Sequence, residues 1–320
     1  MAENTPISWA KHTLNLWWGC DEPGAEPGTD FTQGTDRAPE CLNCYARTWD
    51  HRMGGDHWGP GPRKFASESY LAKALKWNAE AQRRGERHGV FVQSMGDWAE
   101  LHPDPVINAR MDEYRGKLWG LIRATPWLDW LLLTKRVDRL MELLPWTCTQ
   151  MLDDPPWPNA WLGTTCGSSR TLWRAERLRQ LPAVRRFISA EPLVDHISAE
   201  QWDRVLAPAA SESKLVGRFE LEGTQLARFK PSFHWLIVGD ESEHEKRRRP
   251  AQPDWIRTAR EAALRNGVVF HFKQWNGPSS HAIHGMRAEH RSGAKGKIHL
   301  PVLDGRVWDG RPTSVVDPNS

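Results

Sequence analysis

Three of the chain's five cysteines fall near one another: Cys20, then the pair in Cys41-Leu42-Asn43-Cys44. Two thiolates at C-x-x-C spacing can ligate one metal ion or cluster. This pair opens what reads as a helix, Tyr45-Ala46-Arg47-Thr48-Trp49, whose N-terminus favours negative charge. Cys20 supplies a third thiolate through a Gly- and Pro-rich stretch, 21–40, long enough to fold back on the pair. The count decides the chemistry. A closed zinc site takes four ligands, so zinc would need a partner such as His51, His57 or Asp50. A [4Fe–4S] cluster on three thiolates keeps one iron open to a cofactor or substrate. A redox dithiol is a further use of such a pair, but it belongs to a different and smaller fold. Cys148 and Cys166 read as small buried hydrophobes, although Cys166 falls on the same candidate rim.

The residues that position these thiols follow a repeated pattern. Seven runs have the continuous apolar character of buried parallel strands: Thr13–Trp18, Val90–Ser94, Trp130–Leu133, Ala160–Gly163, Arg186–Ser189, Trp235–Val238 and Val268–Phe272. Helical patterns separate them. The clearest is Asp104–Ala124, with Asp104 as N-cap, Pro105 at the first helical position, and Ile107, Met111, Tyr114, Leu118 and Leu121 on one face. Others span Ser67–Arg84, Val137–Leu144, Ser169–Leu181, Ser198–Leu206 with a Ser198/Gln201 capping pair, and Asp254–Asn266 ended by Gly267.

Strand and helix in alternation imply an α/β fold with a parallel sheet, here a partial (β/α)6-7 TIM-like barrel with an N-terminal cysteine-rich cluster loop. The barrel spans 1–277, with excursions at 21–40 and 207–231, and 278–320 forms a C-terminal extension. In such a fold every strand's C-terminal end lies on one face, and that face carries the site. The seven ends deliver Cys20, Met95-Gly96-Asp97, Thr134-Lys135-Arg136, Thr164-Thr165-Cys166, Glu191-Pro192, Asp240-Glu241-Ser242 and Lys273-Gln274-Trp275. One rim therefore gathers thiols, carboxylates and cations.

Bulk properties exclude several classes. At 39% hydrophobic residues the chain buries a core without a disulfide framework, and five cysteines are an odd number for one. A net charge of +3 is too mild to announce a nucleic-acid binder by itself. No apolar run approaches the roughly 20 residues of a membrane helix, and MAENTPISWAKHT lacks a signal peptide's apolar core, so a cytoplasmic protein with no membrane partner is expected. The nineteen tryptophans are spread along the chain and read as core and groove lining.

The ordered set Ile7-Ser8-Trp9, Trp17-Trp18-Gly19-Cys20, Cys41-Leu42-Asn43-Cys44-Tyr45-Ala46, Ser94-Met95-Gly96-Asp97, Leu133-Thr134-Lys135-Arg136, Trp161-Leu162-Gly163, Ser189-Ala190-Glu191-Pro192-Leu193, Val238-Gly239-Asp240-Glu241-Ser242, Phe272-Lys273-Gln274-Trp275 and Leu303-Asp304-Gly305-Arg306 spans nearly the whole chain. It resembles the phage-associated three-cysteine family, a domain of unknown function related to the radical S-adenosylmethionine enzymes. One departure stands out: such enzymes space their cysteines C-x3-C-x2-C, whereas twenty residues fill the first gap here, so 21–40 must bulge outward.

The resemblance implies a [4Fe–4S] cluster on Cys20, Cys41 and Cys44, S-adenosyl-L-methionine on its open iron, and reductive cleavage to a 5′-deoxyadenosyl radical. It implies that Ser94-Met95-Gly96-Asp97 meets the methionyl amino group, with Asp97 the candidate ligand. Lys135 or Arg136 pairs with the methionyl carboxylate, Glu191 and Glu241 hold the ribose or act on substrate, and Lys273 faces the substrate. An electron donor such as a flavodoxin or ferredoxin is the implied partner. The phage association points to a nucleobase, nucleotide or nucleic acid as substrate, for modification or repair. Residue support for that is the run Arg247-Arg248-Arg249 and the tail cations His290, Arg291, Lys295 and Lys297, which can contact phosphates. Two alternatives stay open: a zinc-binding, non-catalytic barrel that partners nucleic acid, and a metal-dependent hydrolase or lyase using the rim carboxylates.

Overall fold

A computed structural model describes residues 3–28, 36–147, 156–208, 215–221, 224–229, 232–242, 248–275, 283–289 and 298–313. All seven expected strands are present: β1 (His12–Leu14), β2 (His88–Val92), β3 (Leu128–Thr134), β4 (Ala160–Thr165), β5 (Arg185–Ala190), β6 (Trp235–Gly239) and β7 (Val269–Gln274). They pair in sequence order, every neighbour parallel, in one curled half-barrel sheet. Both faces of the sheet are covered. Phe91, Leu131, Trp161, Phe187, Trp235 and Ile237 pack with Trp9 and Ala10 in one cluster, while their neighbours Val90, Val92, Trp130, Leu132, Leu162, Ile188, Leu236 and Val238 join the other. Side chains alternate across a strand, so burial on both faces is what makes the sequence read as unbroken apolar runs. Gly163 is required by this packing: a Cβ there would stand 2.1 Å from the Phe187 ring.

The helices are α1 (Tyr45–Arg52), α2 (Lys73–Arg84), α3 (Pro105–Ala124), α4 (Trp173–Arg179), α5 (Ala199–Leu206) and α6 (Pro253–Arg265). Their boundaries follow from local chemistry. Asp104 accepts from the Val106 amide ahead of Pro105 at the start of α3, and the Ser198/Gln201 capping box starts α5. Gly267, with φ +67°, follows α6.

Some expected elements are shorter or split. The first strand leaves the sheet at Asn15, and Trp17–Trp18 instead pairs antiparallel with Lys64–Phe65. The stretch 67–84 is a turn of helix, Glu68–Leu71, followed by α2, and 137–144 is a 3-10 turn followed by Leu140–Leu143. The 207–231 excursion contains an antiparallel hairpin, Leu215–Leu221 with Thr224–Phe229. In the C-terminal extension, Ile283–Glu289, Ile298–Leu303 and Arg306–Val307 form an antiparallel sheet. Its last turn, Asp304-Gly305, has both residues at positive φ, the geometry a two-residue hairpin demands. Asp304 also pairs with Arg257 at 2.9 Å and Arg260 at 2.6 Å on α6, and these guanidiniums hold its carboxyl down to about 2. Beyond it the Phe272 amide donates to Trp308 O at 2.7 Å and Trp235 Nε1 to Gly310 O at 2.8 Å, which fastens the extension to β6 and β7.

Candidate active site at the C-terminal rim

Cys20, Cys41 and Cys44 line a single cleft enclosing about 830 Å³ of space, its open mouth included. Ser94, Gly96, Asp97, Lys135, Glu191 and Lys273 line the same cleft, as do Ile7, Trp9 and Phe91. The long gap between the first two cysteines closes on itself. Ala25 N donates to Asp36 O at 2.8 Å and Ala38 N to Pro23 O at 3.1 Å, so the excursion leaves and returns at one place beside Cys20. Glu22 secures that neck, accepting from Arg37 at 2.6 Å and Arg47 at 3.1 Å.

Each thiol sits on its own anchored segment. Gly19 has φ +111° and no room for a Cβ, which would stand 2.1 Å from His57 O. Its amide donates to Met95 O at 2.9 Å, tying the Cys20 loop to the end of β2. Below Cys20 runs 57–63, held by a fully buried guanidinium: Arg63 donates to His57 O, Gly59 O and Gly61 O and pairs with Glu100 at 2.5 Å. The C-x-x-C segment is pinned by Glu40, buried, which accepts from Gly167 N at 2.8 Å and from the Thr171 hydroxyl and pairs with Arg174 at 3.4 Å. Asn43 donates to Glu241 at 3.0 Å, and Arg249 links the same carboxylate to Pro39 O. Cys44 then caps α1.

Burial favours the neutral form of all three thiols. Burial pushes Cys20 well up, Cys41 up to about 12 and Cys44 up. Cations stand ready to reverse this. Arg136 approaches Cys20 Sγ at 3.7 Å. Lys135 loses by burial, its largest single influence, yet Cys41, Asp97, Cys44 and Glu40 together hold its pKa above the ordinary value. Three thiols on one cleft are a donor set that a [4Fe–4S] cluster with one open iron could take. Among the described residues no group of three His, Cys, Asp or Glu could hold a metal ion, and Asp50 and His57 bond each other at 2.8 Å.

The other predicted residues divide by place. Ser94, Gly96, Asp97, Lys135, Glu191 and Lys273 line the cleft; Met95 packs beside Cys20, Ala46 and Trp58. Asp97 is heavily engaged: Oδ1 accepts from Thr134 Oγ1 at 2.6 Å and Ala99 N at 3.0 Å, and Oδ2 from Lys135 N at 2.9 Å, with Arg136 at 3.5 Å. Its geometry joins the ends of β2 and β3. Glu241 lies outside the cleft lining and acts on the cysteine segment through Asn43. Glu191 and Lys273 contact each other in the cleft lining, and burial pushes the Lys273 ammonium down to about 7. Arg249 is spent on Glu241 and Pro39 O, and Arg247, the four tail cations and Cys148 lie outside the described residues. Cys166 is buried in the core, with Sγ to Thr171 O at 3.3 Å.

Sequence reasoning missed Asn15, whose Oδ1 accepts from Ser94 N at 2.7 Å and Met95 N at 3.0 Å and so shapes the loop facing the cysteines. Its only signal is its place, where the first apolar run yields to a polar residue. Among the described residues no helix is long and apolar enough to cross a membrane. No curated protein and no solved structure matches the chain. Residues 4–312 match the model of one family, and the chain therefore belongs to that family, described as Protein of unknown function (DUF5131).

Proposed function

We propose that this chain is an iron–sulfur enzyme of the radical S-adenosylmethionine type, related to the phage-associated three-cysteine proteins, with Cys20, Cys41 and Cys44 as its cluster thiolates and a nucleobase or nucleic acid as its substrate class. The observation that carries the reading is the meeting of these three thiols, from two independently anchored segments, in one cleft at the C-terminal rim of a parallel half-barrel. That rim is where such folds build their sites. When bound, a reduced [4Fe–4S] cluster would supply the electron that cleaves S-adenosyl-L-methionine to a 5′-deoxyadenosyl radical.

The chain's own part is positioning and charge. Lys135 and Arg136 offset the thiolates' negative charge, which matters because ligands must lose their protons to bind metal. Arg63, Glu40 and Asn43 hold the segments that carry the thiols. Glu191 and Lys273 form a contact pair that can hold or give a proton at Lys273 Nζ, in the same cleft as the cysteines.

Protein purified without oxygen and reconstituted should contain iron and sulfide in cluster stoichiometry and form 5′-deoxyadenosine with a reductant. Cys20→Ser, Cys41→Ser and Cys44→Ser should each lose iron while the far-ultraviolet circular dichroism is retained. Zinc in place of iron, no cleavage, and unfolding of Cys20→Ser would defeat the proposal and favour a structural zinc site.

A further inference from the structure

The cleft is lined by buried polar atoms that the folded chain leaves unserved. Gln93, 3% exposed, accepts the Leu16 amide at Oε1 at 3.0 Å, and that bond fixes which way round its own amide stands. Nε2 is therefore the donor end, and among the described residues nothing accepts from it. It stands beside Gly96, where a Cβ would lie 2.5 Å from it, and both residues line the cleft. Thr165, fully buried, has no partner for Oγ1 among the described residues. It follows Trp161 and Gly163 at steps of two on β4, on the inner side of the sheet where Trp161 meets Phe187 and Trp235. There it lines the cleft beside Ser189, its register partner on β5. The indole N–H groups of Trp9 and Trp58, in the same lining, also lack acceptors among the described residues. Buried polar groups are normally paired, so a set of unpaired ones around a single cavity points to what the cavity holds.

The types of these atoms describe the ligand. Indole and amide N–H groups only donate and a hydroxyl can donate, so the ligand brings acceptors. Those acceptors are uncharged. The cations of the lining are Lys135 and Lys273; Lys273 contacts Glu191, and Lys135 stands among Cys41, Asp97, Cys44 and Glu40. Glu22, Asp97 and Glu191 add negative charge to the same walls. A buried anion would need a counter-charge of its own, and a neutral carbonyl oxygen does not. Ile7, Trp9, Phe91 and Leu133 supply apolar surface on which a flat ring packs.

We propose that Gln93 and Thr165 are the specificity-determining residues of the substrate subsite, and that they hydrogen-bond the carbonyl oxygens of an uncharged cyclic amide or imide. The inference rests on the reading of this cleft as the catalytic site, and it narrows that reading to one edge of the substrate. A ring with a carbonyl at that edge satisfies Nε2 and Oγ1. A ring of the same shape with an amino group there sets donor against donor at Gln93, and sites built to pair a polar group reject analogues that leave it unpaired.

The test is direct binding of uracil, hypoxanthine and adenine to the purified chain, before and after reconstitution with iron, sulfide and S-adenosylmethionine, read by ligand-observed NMR titration. Hypoxanthine and adenine differ by a carbonyl in place of an amino group, so hypoxanthine should bind at least about tenfold more tightly, and uracil should bind as well. Gln93→Glu keeps an acceptor for the Leu16 amide but turns the donor into an oxygen; it should weaken both carbonyl-bearing rings at least about tenfold. Thr165→Val keeps the shape without the hydroxyl and should weaken them severalfold. Melting temperatures of both variants confirm folding. Failure of uracil and hypoxanthine to bind in either preparation, equal binding of hypoxanthine and adenine, or unchanged binding by both folded variants would each overturn the assignment. So would loss of S-adenosylmethionine binding in Gln93→Glu with the two rings unaffected, which would give Gln93 to the cofactor. Iron content and S-adenosylmethionine cleavage with a chemical reductant, measured in the same preparations, report on the iron–sulfur reading separately.

Discussion

At the N-terminal end of the seven strands the barrel interior is filled chiefly by rings, with Asp129 paired to Arg87 and Arg311 at its edge, whereas the C-terminal end is framed by ion pairs around a cleft. Trp9 packs on Phe91 at 4.6 Å and on Phe187 and Trp235 at 6.3 Å, and Trp161 meets Trp235 edge-on at 6.3 Å. His12 and His88, the first residues of β1 and β2, share a hydrogen bond of 3.2 Å, and His12 stacks on Trp77. That end gains stability by removing apolar area from water. The opposite end buries Arg63 with Glu100, Arg174 with Glu40, and the largely buried Lys273 against Glu191. Buried pairs contribute little net stability over apolar residues, since their desolvation cost consumes the attraction. Their value at the rim is geometric: each fixes a loop around the cleft, and the three thiols are presented by loops.

This contrast predicts unequal effects of mutation. The largest belongs to Arg63→Met, which strands Glu100 without its partner and leaves three loop carbonyls unserved; about 3–5 kcal/mol should be lost in urea unfolding. Replacing both partners, Arg63→Met with Glu100→Met, should recover only the part due to the stranded charge, since three carbonyls and the Asp21 amide stay unserved. On the iron–sulfur proposal iron binding should stay lost, because the 57–63 segment beneath Cys20 has no anchor. A single-variant cost under about 1 kcal/mol would show that the rim pairs are not the constraint argued for them. Trp9→Ala comes next. Opening a cavity in the aromatic floor should cost about 3 kcal/mol or more, but the thiol loops, pinned elsewhere, should still take up iron. Loss of iron with Trp9→Ala at full folding would erase the distinction between the two ends.

The same contrast explains what the sequence made legible. Strands covered on both faces leave continuous apolar runs, so all seven were readable, and so was their common rim with Cys20, Cys41 and Cys44. Helix starts were readable where a cap is local, as at Asp104 and Ser198. The supports of the site were not. Glu40 meets Gly167, Thr171 and Arg174 more than a hundred positions away, and in sequence it is one acid beside a cysteine. Glu241 stood at a strand end and so read as a catalytic candidate, but its partner Asn43 lies 198 residues earlier. The first strand was read as reaching Trp18 because apolar content continues past Asn15; what stops it is the side-chain bond from Asn15 to the β2 loop. Periodicity reports burial, and it is silent on long-range polar partners.

Acid should separate the ends further. Burial, then the neighbouring His88 and Lys11, pushes His12 down to about 3 from an ordinary 6.5. The unfolded chain accepts a proton on this residue near pH 6.5 and the native chain does not, so the unfolded state binds more protons and stability falls as pH drops. The loss should build from about pH 6.5 toward pH 3 and amount to a few kcal/mol. His12→Phe keeps a ring against Trp77 and removes the titration, so its unfolding free energy should vary less between pH 6.5 and 4; an unchanged slope would assign the acid sensitivity to other groups.

The smallest effect on stability should be the most informative at the rim. Asn43→Ala deletes one hydrogen bond to Glu241, and Arg249 still occupies that carboxylate, so about 1 kcal/mol or less is at stake. Melting should hardly move. Yet Asn43 lies between the two thiols of the C-x-x-C pair, and it is one of the ties, with Glu40, the Pro39 carbonyl and the Tyr45 hydroxyl on Ser94 O, that hold this segment in place. Reconstituted Asn43→Ala should therefore lose iron to a chelator several times faster than the unaltered chain. Equal rates would mean that the segment's other ties fix it without Asn43, and that the buried Glu241 carboxylate is no part of the machinery that presents the cysteines.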